Sequence, residues 1–517
     1  MNNLRVRADE VIAAALGGAA AGAAAGSPLA PLSLYFPGAA ALAGALAAAA
    51  LAARQPEIEH KRGARYYPQP TAAKSALQAQ EGPDADGITI GGVCLSKTRE
   101  VGHFYVLGLP GAGKTVLLSS VLQQVLSRGD AILLHDPKGD YTTHTPNALL
   151  LGPWDNRAAI WAVGDDINTP PRAQEFARIL IGEQGLRGEN AFFYNAARQL
   201  LAALVRSLPP DWGWADLHQA LCLPPDQLAR QAASSDPQIM QVLPSLTSLG
   251  GEASTAEKGI LATLAERTAW IAQMAAVDNP ARQRISLRNW LKAPAAPLVL
   301  NNNANYATAA SALFGAALAI IADYIASPDM PEKPASSPGL WVILDEMPQL
   351  GPAAFPAIQK IEEIGRSRGV RVIRAQQDES QLAALVGREK AAPMLAMQST
   401  KIYCKVSDLT AAAIAQRIGE REIIRYSTTA QSGAVAGKTA TPDRQPVISP
   451  ADLMGLAITP DGPEIIMQIG DVLGKLVQPF PPKPTATQPP FVESPEWRDG
   501  ISAVKSPELS ALDEVLS

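Results

Sequence analysis

Residues 108–115 read Gly108-Leu109-Pro110-Gly111-Ala112-Gly113-Lys114-Thr115 and match the spacing G-x-x-x-x-G-K-[ST] at every fixed position. In that pattern the backbone around Gly108, Gly111, Ala112 and Gly113 turns its N–H groups inward on a β-phosphate. Lys114 can then reach the β- and γ-phosphates, and the Thr115 hydroxyl can hold Mg²⁺. A second candidate group ends the apolar run Leu340-Trp341-Val342-Ile343-Leu344, which passes straight into Asp345-Glu346. One carboxylate there, Asp345, suits the water shell of magnesium, and the other, Glu346, suits polarisation of an attacking water. Together the two groups read as hydrolysis of a nucleoside triphosphate, with ATP and Mg²⁺ as the expected ligands.

The flanking elements must place these residues together. His103 to Leu107 reads as a buried strand, Val116 to Leu126 as a helix, and Ala131 to Leu134 as a second strand. This βαβ unit sets the glycine loop on a helix N-terminus, where anions gain affinity. The loop Asp136-Pro137-Lys138-Gly139-Asp140 then lies at a strand's carboxyl end, where it is equally a ligand loop and an ordinary Pro-Gly turn. From about Gln174 to Ala276 strand signals thin out and helical stretches dominate, which reads as an all-α insertion between the two nucleotide motifs. Beyond Glu346, strands and helices alternate again, giving a parallel sheet covered on both faces. Arg366, at the end of the next helix, reads either as a finger reaching a neighbouring subunit's phosphate or as a solvated basic helix end; Arg368 reads as the latter. Gln376-Gln377 end the following strand, where one of the two amides reads as a γ-phosphate sensor and the alternative is a pair of strand-end polar residues.

Composition adds boundaries. The chain of 517 residues carries a formal charge of −5, so no global basic field attracts nucleic acid. Cys94, Cys222 and Cys404, and the histidines at 60, 103, 135 and 144, show no metal-ligand spacing. No charged residue stands between Val11 and Ala53, a stretch longer than the roughly 20 residues of one membrane span. Two short crossings fit, about Val11 to Gly26 and Gly38 to Ala53. Arg5 and Arg7 on one side and Arg54, Lys61, Arg62 and Arg65 on the other place both ends in the cytoplasm. The proline-rich stretch from Ala53 to about Ile88 reads as a linker, Ser427 to Arg444 as a mobile loop, and Pro479 onward as a flexible acidic tail. The expected division is a membrane anchor at 1–65, a nucleotide-binding domain at 66–164 and 287–478, an all-α insertion at 165–286, and the tail at 479–517.

The chain resembles the coupling proteins of type IV secretion systems, membrane-anchored relatives of hexameric DNA-pumping motors. The resemblance rests on GLPGAGKT at 108–115, HDPKGD at 135–140, LLGPWDNRAAIW at 150–161, FFYNAARQLL at 192–201, WVILDEMPQLG at 341–351 and EEIGRSRGVRVIRAQQDESQL at 362–382. It implies a P-loop NTPase of the RecA-like α/β type with a parallel sheet, an inserted all-α domain and an N-terminal transmembrane hairpin. It implies an ATPase of the bacterial inner membrane that works as a homo-hexamer, recruits a relaxase and its DNA, and pumps that DNA to a secretion channel during conjugation. By motif, Lys114 and Thr115 bind phosphate and Mg²⁺, Asp345 and Glu346 support hydrolysis, Arg366 acts in trans and Gln377 senses the γ-phosphate. The DNA-contacting residues are not legible. Competing readings are an adaptor that delivers protein effectors and a chromosomal double-stranded DNA translocase, which would call for a winged-helix reader that the tail is too short to supply. A small-molecule kinase is disfavoured, because it needs no carboxylate to activate water.

Overall fold

The computed structural model describes residues 58–500 apart from 146, 183–189, 249–251, 388, 390, 392–393, 396, 430–436 and 483–485. The hairpin expected between Val11 and Ala53 lies outside the described residues. Two compact units emerge, one of Met1–Gly63 with Gly419–Val447, the other of Ala64–Ile418 with Ile448–Ser517.

In the larger unit the apolar runs become strands β1 (Arg65–Tyr67), β2 (Phe104–Leu107), β3 (Ala131–Asp136), β4 (Leu149–Leu150), β5 (Leu298–Asn301), β6 (Leu340–Leu344), β7 (Val370–Gln376), β8 (Thr400–Tyr403), β9 (Ile458–Thr459), β10 (Gly462–Ile469) and β11 (Val472–Val477). They form an 11-stranded sheet in the order β1-β11-β10-β8-β2-β7-β6-β3-β5-β4, with β9 paired to β10. From β8 to β4 every pairing is parallel. The sheet is nonetheless mixed, because β10 runs antiparallel to β8, β11 and β9. The parallel sheet expected from the alternation therefore holds from β8 to β4 and not for the β10 side. A tight turn at Gly470, with φ 58°, sends the chain straight back as a hairpin without a crossover helix.

Side chains of β6 show how both faces are filled. Leu340, Val342 and Leu344 enter one core, while Trp341 and Ile343 enter the other. One face is covered by helix α1 (Pro70–Glu81), which buries Ala73 and Leu77, and by α2 (Lys114–Arg128), whose Leu117, Leu118, Val121, Leu122 and Val125 recur at helical spacing. On the other face lies α3 (Ala307–Ala326), buried along most of its length. The span Ala304–Ala326 is long and apolar enough to cross a bilayer, but here it is a core helix. Strand β7 is pinned by two buried ion pairs, Arg371 to Glu100 and Arg374 to Glu362, each at 2.9 Å.

The insertion contains helices Pro170–Ile181, Ala191–Arg206, Trp214–Leu221, Pro225–Ser235, Thr255–Thr268 and Ile271–Val277. Their buried side chains join one hydrophobic core, which includes the ring cluster of Trp161, Phe176, Trp212 and Trp214. Its neck is a parallel pair, Ile160–Trp161 with Arg284–Ile285. Buried Asp166 ties that neck by accepting from Trp161 Nε1 at 2.7 Å, Ser286 Oγ at 2.8 Å and Leu287 N–H at 2.8 Å.

Three stretches differ from the expected loops. The linker before Ile88 contains β1 and α1, which pack on β11. Glu420–Thr429 and Gly437–Pro446 pair as a long hairpin joined by Ile58–Arg62, and this three-stranded sheet is the described part of the smaller unit. The threonines that suggested a mobile loop equally suit strands once a partner is present. Residues 486–500 are packed rather than loose, ending in helix α4 (Pro495–Asp499) whose Trp497 is buried.

Candidate nucleotide site

Strand β2 ends at Leu107, beside Gln376 on β7 and Tyr403 on β8, so the glycine loop emerges at the carboxyl edge of the sheet. Gly113 sits at φ 98°, and a Cβ there would meet Pro463 Cβ at 2.4 Å. Gly108 is confined differently, since its added Cβ would lie 2.6 Å from Cys404 Cβ. Backbone freedom at 113 and close approach at 108 thus explain why the loop needs glycine at both. Lys114 is buried and its Nζ donates to Gly108 O at 2.5 Å and Leu109 O at 3.3 Å. Burial pulls its ammonium below the ordinary lysine value, partly offset by Glu346 and Asp345. Thr115 is exposed, facing a cavity of about 200 Å³.

Strand β6 delivers the two carboxylates to that same cavity, and β7 delivers Gln377. Asp345 is held at both ends. His135 Nδ1–H donates to its carbonyl at 2.6 Å, and the Tyr141 hydroxyl donates to its Oδ2 at 3.0 Å. Burial keeps His135 neutral, with its pKa lowered to about 4, and keeps the Tyr141 phenol protonated. Glu346 takes a left-handed conformation, φ 47° and ψ 53°, which a side-chain-bearing residue adopts only at a cost of about 1–3 kcal/mol. The turn swings its carboxylate to Gln377, whose Nε2 donates to Glu346 Oε2 at 2.9 Å. Gln376 instead points inside, donating to the Tyr105 hydroxyl at 2.9 Å.

Lys114, Thr115, Asp345, Glu346 and Gln377 therefore surround one cavity, together with backbone of Gly111 and Gly113; Gly108 holds Lys114 from below, and Ala112 is a buried member of the loop. Arg366 is not brought there. It is exposed in the turn Arg366–Arg368 at the opposite edge of the sheet, about 20 Å away along β7, where it borders a separate cavity with Arg99, His103 and Glu362. Sequence reasoning passed over Lys138, Tyr141 and Ile458. Lys138 and Ile458 border the nucleotide cavity, with Ile458 56% exposed at its mouth. Only the Asp136 loop signalled Lys138; nothing in the sequence signalled Ile458, which arrives on the antiparallel strand β9.

Asp345 carries a cost. Burial pushes its carboxyl up to about 6, against the smaller downward effects of Tyr141 and Lys114. A carboxyl raised in the folded state binds its proton more tightly there than in the unfolded chain. The resulting penalty is full above pH 6 and relieved as pH falls towards the unfolded value. Asp345→Asn should therefore stabilise the nucleotide-free protein at pH 8 by about 2 kcal/mol, with little gain at pH 4. Thermal melting without Mg²⁺ at the two pH values checks this; a lower melting temperature for the variant at pH 8 would refute it.

Comparisons with known proteins agree with this fold. The chain is similar to the coupling protein TraD of Escherichia coli (strain K12), with 22% identity over 396 residues, 73% of this chain and 52% of that protein. It thus spans about half the length of that relative. Among solved structures, the unbound monoclinic form of the bacterial conjugative coupling protein TrwBdeltaN70 superposes with a TM-score of 0.69 at 22% identity, covering 84% of this chain and 97% of that one. The plasmid coupling protein TrwB in complex with ADP and Mg²⁺ gives 0.68 at 21% identity, covering 85% and 99%. The family model described as the type IV secretion-system coupling protein DNA-binding domain matches residues 87–461, a stretch holding the phosphate loop, both carboxylates and the whole insertion, and the chain belongs to that family.

Proposed function

We propose that this chain is an ATP-hydrolysing coupling protein of the inner membrane. It recruits a relaxase–DNA complex and pumps the DNA to a type IV secretion channel during conjugation, working as a homo-hexamer. The observation that carries the reading is the single cavity gathering Lys114, Thr115, Asp345, Glu346 and Gln377, within a chain of the coupling family. A buried ammonium, a free hydroxyl and two carboxylates fit the phosphates of ATP and its Mg²⁺. Magnesium, when bound, neutralises charge developing on the phosphates. Lys114 then orients the β- and γ-phosphates, Thr115 and Asp345 hold the metal, partly through water, and Glu346 takes the proton of the attacking water. Gln377 keeps Glu346 aimed and registers the γ-phosphate. Arg366, on the far edge of the sheet, acts on the site of the adjacent subunit.

The test is ATP hydrolysis by the full chain in detergent or lipid, with and without single- and double-stranded DNA. The expected result is a rate raised several-fold, on the order of fivefold, by DNA, because a motor's cycle completes faster on its track. A rate indifferent to DNA in a verified assembly would overturn the pumping reading in favour of an adaptor for protein substrates.

A further inference from the structure

We propose that Lys138 is a second phosphate-binding lysine of this site, directed at the terminal phosphate, and that residues 487–490 hold it there. The inference rests on the nucleotide reading above and adds a residue to it. Lys138 borders the cavity together with Lys114, Asp345 and Glu346. Its side chain is exposed and has no ion-pair partner among the described residues. Two carboxylates against one lysine leave the pocket net negative before a polyanion enters; Lys138 brings it to balance.

Position in the sheet says which phosphate. The order runs β8, β2, β7, β6, β3, so Lys138, just after β3, lies beyond the carboxylates and farthest from the glycine loop. The α- and β-phosphates belong to the loop on β2. The terminal phosphate points towards the carboxylates, the side where Lys138 stands.

The loop beneath Lys138 is unusually well fixed. The buried Asp136 carboxylate accepts N–H groups from Lys138 at 3.3 Å, Gly139 at 2.9 Å, Tyr141 at 3.1 Å and Thr142 at 2.7 Å. From outside, Gln488 Nε2 donates to Thr142 O at 2.7 Å and Thr145 O at 3.2 Å, and Thr487 N–H donates to Thr143 O at 2.9 Å. Pro490 presses on Gly139, where an added Cβ would meet its carbonyl oxygen at 2.6 Å. A backbone clamped on both sides under an unpaired ammonium is preorganised for an anion, because binding need order only the side chain.

The experiment measures affinity of the full chain for a non-hydrolysable ATP analogue and for ADP, both with Mg²⁺. Lys138→Ala should weaken the analogue about tenfold, the loss of one charge-assisted contact, and ADP less than about twofold. Lys138→Arg should keep most of the affinity, and Gln488→Ala should give a partial loss in the same direction. Unchanged affinities in Lys138→Ala, or equal losses for both nucleotides, would overturn the proposal. Failure of the nucleotide reading itself shows separately, as a Lys114→Ala chain that still binds like wild type. Since Lys138 is solvent-exposed, its substitution does not put folding at stake.

Discussion

Glu346→Gln is expected to lower the turnover number for ATP by about 10²–10⁴-fold while nucleotide affinity stays within about twofold. The substitution keeps the volume of the side chain and an oxygen that can accept from Gln377 Nε2, now at 2.9 Å. What disappears is the basic carboxylate, so the loss falls on the chemical step. The backbone supports this assignment. Glu346 is one of three non-glycine residues with positive φ among the described residues, and neither glycine nor asparagine relieves the strain. Its peptide follows directly on Asp345, whose carbonyl His135 fixes, so the αL turn is what separates the two carboxylates into different tasks. Gln377→Ala supplies the contrast, since it leaves the base but removes its orientation; turnover should fall by only about tenfold. Steady-state phosphate release, paired with analogue binding, checks both variants. Wild-type turnover from Glu346→Gln in a verified assembly would remove Glu346 from the mechanism.

The sequence made much of this site legible because its parts are local. A glycine loop announces itself in eight consecutive residues, and Asp345-Glu346 follow an apolar run whose burial is complete. The helical insertion was equally plain, since its apolar positions recur at 3.6-residue spacing. Partnership across long separations was hidden. Ile58–Arg62 pairs with Glu420–Thr429, and β1 with β11, and neither strand carries a signal naming its partner. Lys138 shows the same gap at the level of the site. Its loop was visible as a polar turn, but only the sheet order puts the β3 end next to the carboxylates of β6. Ser427–Thr429, Gly437–Arg444 and residues 486–500 differ from the expected loop and tail for a related reason, because threonine, glycine and proline describe a segment's own freedom and not what it lies against.

Trp497→Ala is the substitution that exposes how far the last of these differences matters, with an expected loss of about 3 kcal/mol. Trp497 is 4% exposed, its ring 5.5 Å from both Trp154 and Tyr306, which are themselves stacked at 5.8 Å. Around it the segment is hydrogen-bonded to the neck of the insertion. Asn156 N–H donates to Val492 O at 2.8 Å, Ser494 N–H to Trp154 O at 2.9 Å, and Arg282 bonds Ser494 Oγ at 2.8 Å and Glu496 at 3.0 Å. One end of the strap thus grips the loop under Lys138, and the other grips the root of the all-α insertion. Removing the indole leaves an apolar cavity at the anchored end, and polar contacts at an exposed surface cannot make up the difference. The loss should therefore appear as local release: faster amide exchange at Thr487, Ser494 and Asn156, and new protease cleavage between 486 and 500, with the central strands still protected. Weaker binding of the ATP analogue should accompany it, in the direction expected of Gln488→Ala but reached from the far end of the strap. Unaltered exchange at those amides would mean that the strap does not depend on Trp497. Released amides with unchanged nucleotide affinity would mean that Asp136 alone suffices to hold Lys138.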